Sequence, residues 1–333
     1  MQTIEIDFFR DEDAPGVARV FRQVYGDGYP IDIYYRPERL IEENAAGRVL
    51  SSVARTQTGE VVGHDALVLV DPAVRRYENA AGVVLSDCRG QGVFFRLIKH
   101  NVFEYAKRFN LEEILGEPVC NHLQLQKMCL QLDYRETGLE VDLMPAAAYT
   151  TEQSAHGRVS VLLGYFRHKP VPQTVFLPPV YRDELEFLYS GIEVVRTFAE
   201  TNEDLPAMGE SKGKLDVFAL AQVARMSIIR IGSDFDTFIA QLEKEACDKG
   251  AEVFQAWLPL TSPFATAATD VLRAHGYFIG GMHPGWFGGD GLLMQKVMGE
   301  TDWGGIALYS ERASRIAEIV RSDQRKVKQE SHS

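Results

Sequence analysis

Arg89-Gly90-Gln91-Gly92 is the stretch of this 333-residue chain whose residue types and spacing most directly imply chemistry. It follows an apolar run of β type, Val83-Val84-Leu85, that breaks at Ser86-Asp87. After it, Phe94, Ile98, Val102, Tyr105 and Phe109 recur at helical spacing, while Lys99, Asn101 and Lys107 fall elsewhere. A strand feeding a glycine turn that opens a helix aims several backbone N–H groups at one point. The helix N-terminus adds positive partial charge there. Glycine also lets the backbone come close to a ligand that a Cβ would push away. The ligand this implies is a phosphate group. The plainer alternative is a turn that only starts a helix.

Composition narrows the partners. The length suits a large core and two domains. A net charge of −12 argues against a nucleic-acid partner, because phosphate backbones require a basic face. No apolar run is long enough to span a bilayer, and the acidic stretch Met1 to Asp13 lacks the apolar core of a signal peptide. Cys88, Cys120, Cys129 and Cys247 show neither CxxC spacing nor disulfide-rich density. The expectation is a cytoplasmic protein with no membrane partner and no metal site.

The elements that must position the glycine turn can be read in order. Thr3 to Phe9 alternates as a strand. Asp11-Glu12-Asp13 before Pro15 starts a helix with a stripe of Val17, Val20, Phe21 and Val24. A second helix over Tyr34 to Glu43 is entered at Pro37. Arg48 to Arg55 and Glu60 to Val70 read as strands joined by a hairpin at Thr56-Gln57-Thr58-Gly59, and Tyr77 to Leu85 leads into the turn. Glu113 to Cys120 is a further strand. Asn121 to Gln126 opens a helix with Leu125, Met128, Cys129 and Leu132 on one face, and Leu139 to Met144 is a last strand.

With that order in place, Arg89-Gly90-Gln91-Gly92 resembles the pyrophosphate loop of the GNAT N-acetyltransferase superfamily, Arg/Gln-x-x-Gly-x-Gly/Ala. Arg89 and Gly92 match, and Phe94 departs from the final Gly/Ala. The order strand, helix, helix, three antiparallel strands, loop, helix is also that family's, whereas a Rossmann domain places its glycine loop after the first strand. Asn121 before a helix is similar to the second family signature, with Asp133-Tyr134 where Gly-Phe is usual. The resemblance covers roughly residues 3–145. The stretches Gly116 to His122 and Gly280 to Pro284 are similar to bacterial tandem members of the superfamily.

The resemblance implies acetyl-CoA as co-substrate and direct acyl transfer to an amine, either a small molecule or a protein amine. A non-catalytic acyl-CoA-binding protein is the alternative. It assigns pyrophosphate to Arg89, Gly90, Gln91, Gly92, Val93 and Phe94, and thioester polarisation to the backbone at Leu85. It implies that the strands before Arg89 and before Asn121 splay to admit the pantetheine. The family's usual tyrosine acid falls on Cys129, which sits on an apolar face and reads as core. For proton transfer, His122 suits a base near neutral pH, or else a hydrogen-bonding residue at the helix entry. Glu78 is a strand carboxylate that could act directly or through water, or face solvent. His64 ranks below them, and Gln126 could contact an acceptor or cover its helix. Tyr25, Tyr29, Tyr34 and Tyr35 could line an acceptor pocket.

Beyond residue 145 the texture changes. Residues 146–157 read as a linker, 158–310 as a second domain, and 311–333 as a helix with a basic tail. Strands over Arg225 to Ile231 and Glu252 to Leu260 alternate with helices over Asp234 to Lys249 and Ser262 to His275. Strands over Tyr277 to Met282 and Gly291 to Val297 follow. This repeats the back half of the first domain. Gly232-Ser233-Asp234-Phe235-Asp236 replaces the arginine loop with two carboxylates, whose charge opposes pyrophosphate. The expected class is therefore α/β of the α+β kind: two GNAT-like domains, each a mixed, mostly antiparallel sheet flanked by helices, the second degenerate. A homodimer through that second domain is left open.

Overall fold

The computed structural model describes residues 3–145, 157–167, 171–201 and 203–330. The expected linker falls almost wholly on 146–156 and so lies outside them, as does the end of the expected tail. The protein is mixed α/β with largely antiparallel sheet. It divides into two compact units, one ending at Gly116 and one from Glu117 onward, apart from a few residues at Phe166 that return to the first. The division precedes the boundary at residue 145 expected from the sequence, and the strand Arg135–Pro145 pairs within the second unit. No helix of the described residues is long and apolar enough to cross a membrane.

The first unit holds β1 (Ile4–Phe8), α1 (Ala14–Tyr25), α2 (Pro37–Ala45), β2 (Val49–Thr56), β3 (Val61–Asp71), β4 (Arg76–Val84), α3 (Val93–His100), α4 (Ala106–Phe109) and β5 (Glu113–Gly116). The sheet order is β1-β2-β3-β4-β5, antiparallel throughout except that β5 runs parallel to β4. Asp13 fixes the entry of α1: its carboxylate accepts from the Arg10 amide at 2.6 Å and from Arg55 Nε of β2 at 2.7 Å. Val17, Val20 and Phe21 then turn their stripe onto β2 and β3 side chains. Of the expected stripe after the turn, Ile98, Val102 and Tyr105 are buried, while Phe94 and Phe109 are only half-buried, and Val93 and Leu97 join the inward face. A π-turn at Asn101–Tyr105 adds a residue to the helix before α4 begins.

The second unit holds α5 (Gln124–Gln131), β6 (Arg135–Pro145), β7 (Arg158–Arg167), β8 (Gln173–Phe176), α6 (Arg182–Ser190), β9 (Arg196–Ala199), β10 (Lys212–Phe218), β11 (Val223–Arg230), α7 (Phe235–Asp248), β12 (Val253–Pro259), α8 (Ala265–Ala274), β13 (Phe278–His283), β14 (Gly291–Val297) and α9 (Glu311–Glu330). Its sheet runs β7-β6-β13-β14-β12-β11-β10, with β11 and β12 parallel and the other neighbours antiparallel; β8 and β9 form a separate parallel pair. One face packs Met226, Phe254, Ile279 and Met294 against Phe235, Leu272 and Ile316 from the helices.

Candidate active site

After β4 the chain makes one tight turn at Ser86–Cys88, passes through Arg89 to Gly92 and enters α3. Gly90 and Gly92 sit at φ +74° and +72°, in the left-handed region that a side chain strains. A Cβ at either position would meet nothing within 4 Å, so the space above both glycines is open. The turn is held from below. Arg89 Nε donates to Val84 O at 3.1 Å, and Gln91 Nε2 donates to Asp87 O at 3.1 Å. The Arg96 amide donates to Gly92 O at 3.1 Å, closing the first helical turn. The N–H groups of the residues before Arg96 belong to the part of a helix that has no intrahelical acceptor. Phe94, the departure from the family pattern, packs its ring over Gly82 instead of covering the turn. Left-handed glycines, open space and a first helical turn fit a pyrophosphate cradle.

The strand that delivers the turn is irregular in two ways. Ala80 pairs with Ala66 and Val83 with His64, so Ala81 and Gly82 together face Asp65 alone. That is a β-bulge, with Ala81 at φ +58°. Gly82 is required there, since a Cβ would lie 2.8 Å from Asp65 Oδ1 as well as against the Phe94 ring. Second, β4 and β5 pair only at Tyr77–Ile114 and Glu78–Leu115, leaving Asn79 to Val84 outside the β4–β5 ladder. The role carried to Leu85 meets an obstacle: its amide donates to Val62 O at 3.0 Å, so this N–H is already committed. The bulge thus lies within the part of β4 that is already outside the β4–β5 ladder.

Glu78 lies half-buried at the last β4–β5 pair. Tyr29 and Tyr34 stand close enough to it, and to Asp65, for both charges to oppose their ionisation. Burial is the larger cause, and both phenols are held well above their ordinary range. Phe21 stacks on Tyr34 at 4.7 Å, with Tyr29 edge-on at 4.9 Å and Tyr25 at 5.9 Å, while the Tyr29 amide donates to Tyr35 Oη at 2.8 Å. The four tyrosines thus gather around Phe21.

His64 is not a base in this arrangement. It is fully buried, and burial drives its pKa down to about 4. As a neutral ring it donates Nδ1–H to Ala81 O at 3.0 Å and accepts at Nε2 from Ser51 Oγ at 2.9 Å. Its work is to hold the bulge. His122 lies beyond β5, in the second unit, so the two ranked proton acceptors belong to different units. Gln126 is no surface residue: Nε2 donates to Val119, His122 and Ala307 carbonyls, and Oε1 accepts from the Tyr309 amide. Cys129 is buried on α5, as packing required.

Sequence reasoning passed over Asp65. It is buried beside the bulge, and burial lifts its pKa to about 8 against the opposing hydrogen bonds from Asn79 and Asn101. Asn101 Nδ2 donates to it at 2.8 Å and is in turn fixed by Ser52, whose hydroxyl donates to Asn101 Oδ1 at 2.5 Å. The available signal was a carboxylate, next to His64, inside the mainly apolar run Val61 to Val70.

The turn of the second unit between β11 and α7, expected from the sequence to replace the arginine loop, is closed. A Cβ on Gly232 would lie 2.5 Å from Glu210 C and Gly209 O. The Gly232 amide donates to Ser211 Oγ at 3.0 Å and the Ser233 amide to Gly209 O at 2.9 Å. Asp234 accepts from the Ser211 amide at 2.6 Å, which with the Ser211 side chain holds its pKa low.

No family model matches the sequence, and no curated protein matches it. Among solved structures, the chain is similar to a ribosomal-protein-S5-alanine acetyltransferase from Vibrio fischeri, at 12% identity and TM-score 0.40, over 49% of this chain and 93% of that one. An N-acetyltransferase from Staphylococcus aureus compares at 14% identity and TM-score 0.40, over 50% and 99% of the two chains. A spermidine N-acetyltransferase from Vibrio cholerae compares at 13% and 0.39, over 49% and 93%. On its own geometry, the order strand, helix, helix, three antiparallel strands, glycine turn, helix and parallel strand is that of the GNAT fold.

Proposed function

We propose that the first unit binds acyl-CoA, with acetyl-CoA the expected donor, at the turn Arg89 to Phe94, and that the protein transfers the acyl group directly to an amine. The observation that carries this reading is the open pair of left-handed glycines at the start of α3. Their amides and the helix terminus receive pyrophosphate, and Arg89 adds its charge. The co-substrate supplies an activated thioester. The acceptor nitrogen attacks its carbonyl carbon, the carbon–sulfur bond breaks, and the thiolate leaves. Glu78 is the first unit's candidate to take the proton from the amine, and the tyrosines around Phe21 are the candidates to line the acceptor side. His122 is the alternative candidate base carried from the sequence. Amines of the kinds named for similar structures, spermidine and a ribosomal-protein alanine, are the first acceptors to try.

A second reading, an acyl-CoA-binding protein without turnover, draws on the committed Leu85 amide. The two separate in one experiment: amine-dependent CoA release from acetyl-CoA, followed by product mass. For Glu78→Gln we expect a turnover rate lower by about 10²-fold or more with unchanged acetyl-CoA affinity. Tight acetyl-CoA binding without release for any amine favours the binding protein.

A further inference from the structure

β10 ends the sheet of the second unit and is flanked on one side only, by β11. Among the described residues, no backbone group from Lys212 to Val217 bonds outside that ladder. An open edge of this kind offers its N–H and C=O groups to another strand. The strand alternates. Leu215 and Val217 pack onto the core, so Lys214 and Asp216 face the other way. Phe218 and Leu220 at one end of the strand and Ile229, beside the other end, stay exposed. The ladder shifts register between Lys212 and Gly213, so the regular part of the edge runs from Gly213 to Phe218.

Lysine on an edge strand ordinarily turns other strands away. Here its effect depends on the register. Two copies of β10 related by a two-fold axis pair antiparallel, and opposite residues point to the same side of the sheet. The axis must therefore pass beside one residue, which meets its own copy. Centring on Lys214 sets two ammonium groups against each other, and centring on Asp216 sets two carboxylates against each other. Centring on Gly213 puts Lys212 opposite Lys214. Like charges directly opposite destabilise a sheet pair. Centring on Leu215 puts Lys214 opposite Asp216 twice, leucine against leucine, and Gly213 opposite Val217. It also brings the Ile229 end of one copy to the Phe218 and Leu220 end of the other. Within one chain Lys214 and Asp216 already meet at 2.9 Å, with 69% and 35% of their side chains exposed. An ion pair so exposed is weak and leaves both groups open to a second copy along the edge.

We propose that the β10 edge is a self-association surface: two copies of the chain pair β10 to β10, antiparallel and centred on Leu215, with Lys214 and Asp216 exchanged between them. The charge pattern selects the occupant, because it is complementary to its own reverse. A strand lacking an acid opposite Lys214 and a base opposite Asp216 gains only the backbone bonds. The pairing extends the sheet of the second unit across the axis, and it does not depend on acyl transfer in the first.

The test is sedimentation equilibrium of the full chain at low ionic strength, where exposed charge pairs are least screened. The contact is small, so a dimer with a roughly micromolar dissociation constant is expected. Lys214→Asp opposes carboxylates across the axis and Asp216→Lys opposes ammonium groups, so each alone should weaken the dimer by about tenfold or more. Mixed in equal amounts, the two variants should form a heterodimer, since every opposed pair is then of unlike charge. A folding defect in either variant would not be cured by mixing. A chain that stays monomeric, a dimer kept within about twofold in both variants, or two monomeric variants that do not associate when mixed would each overturn the proposal.

Discussion

The two glycine turns differ in what their backbones are free to do. Gly90 and Gly92 stand in the left-handed region under open space, at the mouth of α3. Gly232 stands before α7, with its amide and that of Ser233 donated to the chain's own residues 209–211. An anion site made of backbone N–H groups exists only while those groups lack other acceptors. At the second turn those groups are taken by a loop of the same chain. The two carboxylates read from the sequence as repelling pyrophosphate contribute differently: Asp234 accepts from the Ser211 amide and so fastens the loop in place. Asp236 faces His275 at 3.0 Å.

The largest effect that would break this contrast is at the open turn. Gly92→Glu places a side chain and a negative charge in the cradle, and acetyl-CoA affinity should fall by at least about a hundredfold. Its thermal midpoint should drop only slightly, because the cost of a left-handed non-glycine residue is about 1–2 kcal/mol. Unchanged affinity removes the turn from the site. At the closed turn the expected effects reverse. Gly232→Ala drives a Cβ into the backbone of residues 209–211 and should cost about 1–3 kcal/mol in urea unfolding, with acetyl-CoA affinity unaltered.

A smaller effect sharpens the comparison through pH. Each unit buries a carboxyl group whose pKa is raised to about 8, Asp65 in the first and Glu140 in the second. In the unfolded chain these groups ionise near their ordinary values of 3.8 and 4.5, whereas folded they keep the proton. Between those limits the folded state holds more protons, so stability declines as pH rises and levels off above about 8. His64 acts oppositely. Its folded pKa of about 4 lies below the ordinary 6.5, so its contribution is lost as pH falls through that window. Asp65→Asn should remove the first unit's share, and the loss of thermal midpoint between about pH 5 and about pH 8 should shrink by several degrees. An unaltered slope places the titration elsewhere. The smallest expected effect is Ser211→Ala, which deletes the acceptor of the Gly232 amide and should cost about 1 kcal/mol in the same unfolding assay.

Local pattern made much of this legible. Alternation and helical spacing located β1 to β4, α1 to α3 and most of β11 to β14 within a few residues, because each element carries its own periodicity. The glycine turn was legible because its residues are contiguous in the chain. What escaped depends on residues far apart in the chain. The bulge at Ala81-Gly82 is defined by pairing with Asp65, and the π-turn at Asn101 by the side chain it aims at Asp65. The plug of residues 209–211 reads in the sequence as a polar loop, and nothing in its composition marks what it covers. Gln126 and His64 were read as exposed or reactive polar residues, yet both spend their hydrogen bonds inside the protein.

Titration of the wild-type chain with acetyl-CoA, read for stoichiometry, tests the central contrast most directly. One site per chain is the expected result, from one open turn and one closed. Two sites per chain would contradict the closure at Gly232, and no saturable site would contradict the cradle at Gly90 and Gly92.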